Sequence, residues 1–139
     1  YYTMMTRTET KQNSMELVNI EDLVPENHLV RKLDKYIDFK FIYDLVEPYY
    51  CHDNGRASID PVILFKIMFL SYIFGIRSIR QTIKEIQVNM AYRWFLGLNI
   101  TDPVPHFTTI SKNYVRRFKD TNVFEEIFNE ILHQAPKHN

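Results

Sequence analysis

The chain has 139 residues, with 17 Lys plus Arg against 17 Asp plus Glu, a formal net charge of zero and one cysteine. That length fits one domain, and 45% hydrophobic with 14% aromatic residues is enough apolar surface to offset ordering entropy, which excludes global disorder. The lone Cys51 excludes an internal disulfide scaffold and points to a reducing, cytoplasmic setting. The longest nearly apolar run, Val62 to Ile76, is interrupted by Lys66 and falls short of the roughly 18 to 20 residues that cross a bilayer, so no membrane partner is expected. The N-terminus has no apolar core of a signal peptide and begins with Tyr1, as a fragment would. Residues 1–16 read as a flexible tail and 17–135 as the folded domain.

Charge is unevenly spread. Residues 1–55 carry 6 basic and 10 acidic side chains, residues 56–119 carry 10 and 3, and residues 120–139 carry 1 and 4. Neutrality therefore hides a basic middle between acidic flanks, the asymmetry that points toward a polyanion.

In chain order, the first expected helices are Asn27 to Ile37 and Phe39 to Val46, followed by Pro48. Asp60 as N-cap and Pro61 at the first position open a buried helix over 61–74 that stops at Gly75. After the link Gly75-Ile76-Arg77, Ser78 with Gln81 forms a capping box for a helix to about Val88, with Ile79, Ile83 and Ile86 on its apolar face. Met90 to Leu96 is a short helix ended by Gly97, in which Trp94 is expected to pack on Phe65 or Phe69. Pro103 and Pro105 keep the next stretch irregular. Thr108 caps a helix over 109–119, and Asn122 with Glu125 opens a last helix with Val123, Phe124, Ile127, Phe128 and Ile131 as its apolar stripe. No stretch alternates with period two for long, so the fold class is all-α, a bundle of about six or seven helices.

Two helices joined by a three-residue, Gly-containing turn have the geometry of a helix-turn-helix, whose second helix enters the major groove. On the 78–88 helix, Arg80, Lys84 and Gln87 project together opposite the isoleucines, with Arg77 just before it. Arg or Lys there donates to guanine and Gln pairs with adenine, although a solvated helix face carries the same residue types. On the 109–119 helix, Lys112, Arg116 and Lys119 share a face, Arg117 and Asn113 flank it, and Thr108, Thr109 and Ser111 gather at its N-terminus, a set that suits phosphate. A plain amphipathic surface helix is the alternative.

Other chemistry finds little support. His28, His52, His106, His133 and His138 are scattered and Cys51-His52 is poorly spaced for zinc, so no metal site, catalytic residue or small-molecule substrate is expected. No two glycines lie close enough for a phosphate-binding loop, and no cofactor is expected. The aromatic clusters, Phe39 to Tyr50 and Tyr92 to Phe95, offer stacking surfaces, but aromatics at helical spacing more often form core.

Four strings carry a more specific signal: LVNIEDLVPENHLVRKLDKYIDFKFIYDLV (17–46), GRASIDPVILFKIMFLSYIFGIRSIRQTIKEI (55–86), NMAYRWFLGLNITDPVPHFTTIS (89–111) and RRFKDTNVFEEIF (116–128). Together they resemble the N-terminal domain of bacterial insertion-sequence transposases of the DDE type. Ala57 stands where that family usually has Pro, Ile79 where an acid often precedes the Arg-Gln pair, and Phe107 and Tyr114 depart from its small, Arg-rich pattern. The resemblance implies an all-helical region that recognises terminal inverted repeats, followed by an RNase H-like domain whose Asp-Asp-Glu triad holds two divalent metals. No carboxylate of this chain maps onto that triad, so the fragment is expected to cut nothing. Double-stranded DNA, at the nucleoid, is the expected partner; the alternative is a protein-interaction module that pairs transposase subunits, as a homodimer, through the acidic last helix and its apolar stripe. A stand-alone helix-turn-helix regulator is the further alternative.

Overall fold

In the computed structural model, residues 5–50 and 59–134 are described, and they form α-helices with no strand among them. Those residues carry eight α-helices and one 3-10 turn. The expected Gly55-Arg56-Ala57 segment, Cys51, His52 and His138 lie outside the described residues.

Residues 5–19 have no helix or strand and are exposed. The first helix, α1 (Ile20–Leu23), has no sequence signal of its own length. It is held by the Asn19 side chain, which accepts from Glu21 N at 3.0 Å, and by Arg31, whose guanidinium pairs with the Glu21 carboxylate and donates to the Glu21 and Val24 carbonyls. That guanidinium also lies 4.4 Å from the centre of the Trp94 ring. Trp94 therefore supports Arg31, which is the ring contact in place of the expected Phe65 or Phe69. Then come α2 (Leu29–Tyr36), capped by His28 Nδ1 accepting from Val30 N, and α3 (Phe41–Val46), which runs into the 3-10 turn Glu47–Tyr49 at Pro48.

At the centre is α4 (Pro61–Ile73). It is apolar nearly all round, the pattern of a helix enclosed by others, and it packs against α3, α5 (Ile79–Val88) and α6 (Met90–Leu96). Its start is as expected, with Asp60 accepting from Val62 N at 2.8 Å. Its end is fixed by Gly75 at φ +62°: Ile76 N donates to Ser71 O and Gly75 N to Tyr72 O, the paired reverse bonds of a glycine-terminated helix. The same pair recurs at Gly97, where Leu98 N donates to Arg93 O and Gly97 N to Trp94 O. Asn89 ends α5 and caps α6 through its side chain, which accepts from Tyr92 N at 3.0 Å. The Phe39 to Tyr50 and Tyr92 to Phe95 aromatics are mainly core rings. Phe39 sits edge-on to both Phe69 and Phe95, and Phe118 meets Tyr49, Tyr50 and Phe124.

The chain closes with α7 (Phe107–Arg117) and α8 (Val123–Gln134). Here the sequence placed the cap two residues late. His106 Nδ1, not Thr108, accepts the first free amide, from Thr108 N at 3.1 Å, so the helix starts at Phe107. An imidazole nitrogen substitutes for the usual short polar cap, as at His28, and residue preference gives no warning of either. On α8, Val123, Ile127 and Ile131 are buried against the rest of the bundle. Gln134 ties the end of α8 to the α2–α3 link by accepting from Asp38 N at 2.8 Å.

Candidate nucleic-acid interface

The first basic helix, α5, begins as expected, with Ser78 Oγ accepting from Gln81 N at 3.1 Å. Gln81 does not complete a capping box. Its amide points along the helix to Glu85 Oε2, 3.4 Å away. Ile83, Ile86 and Thr82 are buried beneath it, and Thr82 Oγ1 donates back to Ser78 O at 2.8 Å. The opposite side leaves Arg80, Lys84 and Gln87 exposed on one face, with exposed Arg77 at the turn before Ser78. Ten residues give α5 a length of about 15 Å, and a major groove about 12 Å wide admits a helix.

The first turn of α7 lies against α5. The Arg80 guanidinium sits 4.2 Å from the centre of the Phe107 ring, and Ile79 shares an apolar cleft with Phe107 and Ile110. Two basic elements separated in sequence by α6 and the 98–106 loop are thereby neighbours, which the sequence left open. Lys112 and Arg116 are exposed on the outer side of α7, and Lys119 is exposed just past its end.

Arg117 is corrected by the structure. Only 6% of its surface is accessible, and its guanidinium stacks 4.1 Å from the centre of the Tyr50 ring and donates to Asn113 Oδ1. Asn113, also buried, donates from Nδ2 to Thr109 O at 2.8 Å. The two therefore line the inner side of α7, about 100° round the helix from the Lys112 face, and Arg117 is a packing residue instead of a phosphate contact. Burial pushes the Tyr50 phenol above its ordinary value, and the neighbouring Arg117 charge partly offsets that.

Two further cations of the basic middle are structural, and charge counting could not separate them from the rest. Arg93 is 7% exposed and donates to three main-chain carbonyls, from Nε to Gln87 O at 3.2 Å and from Nη1 to Asn99 O and Asp102 O at 3.0 and 2.8 Å. It pins the loop that delivers α7 to α5. Lys66 is held between the Phe39 and Phe95 rings and donates to Phe95 O at 2.8 Å; burial lowers its pKa. The only sequence warning for both is their position inside otherwise apolar helical runs. Among the described residues, no cluster of three or more His, Cys, Asp or Glu could hold a metal ion, and no helix is long and apolar enough to cross a membrane.

An all-helical bundle that presents two adjoining basic helices around a glycine-ended central helix defines a class of small helical modules. The family follows from the sequence match: residues 18–116 fit the model described as "Transposase domain (DUF772)", and the chain belongs to that family. The match runs from just before α1 to the penultimate residue of α7, so it contains both basic helices. No curated protein and no solved structure matches the chain.

Proposed function

We propose that this chain is the DNA-binding N-terminal region of an insertion-sequence transposase, that it recognises the element's terminal inverted repeats, and that it is not itself catalytic. The observation that supports the reading is the packing of α5 on the start of α7, which brings the two basic helices into contact within a transposase-family domain. In this reading α4 and α5 act as a helix-turn-helix. Arg77, Arg80, Lys84 and Gln87 reach bases or phosphates from α5, and Lys112, Arg116 and Lys119 contact phosphates. Arg117 is left out because its guanidinium is enclosed. Cleavage would belong to a separate domain of the parent protein with its own carboxylates and divalent metals.

Fluorescence anisotropy with terminal-repeat DNA tests this across a salt series. Arg80→Ala with Lys84→Ala is expected to weaken binding and to lower the slope of log K against log salt by roughly 0.9 for each phosphate no longer neutralised. Lys84→Ala alone keeps the Arg80–Phe107 stacking and separates removal of charge from any shift of α7. A slope and affinity equal to wild type would remove α5 from the interface.

A further inference from the structure

Lys66 of α4 lines a hollow of about 420 Å³ whose other walls come from α2, α3 and the link between them. The Lys66 Nζ lies 4.7 Å from the centre of the Phe39 ring, and that ring lines the same hollow, so the amine stands at its apolar inner side. A neutral amine has two N–H groups and a lone pair. One N–H donates to Phe95 O at 2.8 Å, and that bond leaves the lone pair unused. Burial lowers the pKa of this amine, and the Asp34 and Asp60 carboxylates offset only part of that. A lysine desolvated against apolar walls is an activated nucleophile. Lys84 and Lys112, by contrast, are exposed on their helices.

The rest of the lining suits an anionic acyl donor. Exposed Lys35 and Lys40 line the hollow with Asp34 and Asp38, and one of those carboxylates is already engaged, since Asp38 Oδ1 accepts from Lys40 N at 3.0 Å. We propose that Lys66 is a covalent modification site for small acyl phosphates, whose phosphate is drawn to Lys35 and Lys40 while the acyl carbon meets the Lys66 amine. The neutral Nζ attacks that carbon, a C–N bond forms, and the C–O bond to phosphate breaks. Phosphate leaves with the bonding pair, and the proton released from Nζ passes to water at the open mouth. The product is a neutral amide, so the cation held between the Phe39 and Phe95 rings is lost and the bundle is loosened at its centre. The site uses no residue of α5 or α7 and stands independently of DNA binding.

Treating the whole chain with acetyl phosphate and reading acetylation lysine by lysine, by quantitative peptide mass spectrometry, tests this. In the folded protein at neutral pH, Lys66 is expected to react about fivefold or more faster than Lys84 and Lys112, and its rate should level off with rising pH below the ordinary lysine value of 10.5. In urea the three should react alike. Lys35→Gln with Lys40→Gln, both exposed, should keep the helical circular dichroism and slow Lys66 roughly fivefold toward acetyl phosphate, yet leave its rate toward the uncharged donor N-acetylimidazole unchanged. A Lys66 no faster than Lys84 and Lys112 in the folded chain overturns the inference. So does a double variant that reacts like wild type with acetyl phosphate, or one slowed equally toward both donors, because the two lysines would then not be acting on the phosphate.

Discussion

Arg93→Met is the sharpest test of how this fold places its basic helices. The guanidinium makes three bonds to carbonyls of Gln87, Asn99 and Asp102, joining the end of α5 to the loop that precedes α7. Hydrogen bonds from a charged donor contribute about 1.5–3 kcal/mol each, so a fully enclosed triple set would be worth several times that. Gln87, Asn99 and Asp102 are all exposed residues, however, and their carbonyls regain water when the donor leaves. Methionine also refills most of the apolar volume. The expected net loss is therefore about 3 kcal/mol, or a melting temperature lower by roughly 10 °C for a domain of this size. Arg93→Lys should fall close to Met, because one ammonium cannot span three carbonyls that a planar fork reaches together. Urea unfolding followed by circular dichroism measures it. A loss below about 1 kcal/mol for Arg93→Met would mean that the loop is held by its own turn, through Asn99 N donating to Asp102 Oδ2 at 2.8 Å, and that the three bonds are incidental.

Arg117 and Lys112 should separate stability from binding within one helix. Arg117→Met is expected to cost about 2–4 kcal/mol, since it strips a buried cation from Tyr50 and Asn113, whereas Lys112→Ala should leave the urea midpoint within about 0.5 kcal/mol and lower the salt slope of DNA binding. Lys66 gives a pH signature. Its pKa is lowered by burial, so between that folded value and 10.5 the unfolded chain binds the extra proton, and stability contributed by this site rises with pH through the window. Wild type should therefore gain midpoint relative to Lys66→Met as pH rises toward the ordinary lysine value of 10.5, while the raised Tyr43, Tyr50 and Tyr92 phenols, common to both proteins, act in the opposite sense; equal pH dependence in the two proteins would exclude Lys66 as the cause. Asp120 holds φ +70° just after α7, so Asp120→Gly is expected to stabilise by about 0.5–1 kcal/mol, and a loss of stability would show that the carboxylate is needed there.

Much of this molecule is written locally. Period and punctuation determined α4, α5 and α6, because Asp60, Ser78 and Asn89 satisfy free amides and Gly75 and Gly97 take the left-handed turn, whereas α8 follows its apolar period and Val123 N turns to Thr121 Oγ1 where the sequence suggested Asn122. Local rules failed where the partner is distant in sequence or unusual in type: α1 depends on Arg31, and α2 and α7 begin on histidine caps. For the candidate interface, the sequence by itself determined which stretch is basic and which side chains share a helical face. Only the tertiary structure decided which cations are available. Arg93 and Arg117 lie within the same basic segment as Arg80 and Lys112, yet aromatic rings and main-chain carbonyls from other elements enclose them. A guanidinium's role is set by what surrounds it in space, and that information resides in the packing of α5 on α7 and of α7 on Tyr50.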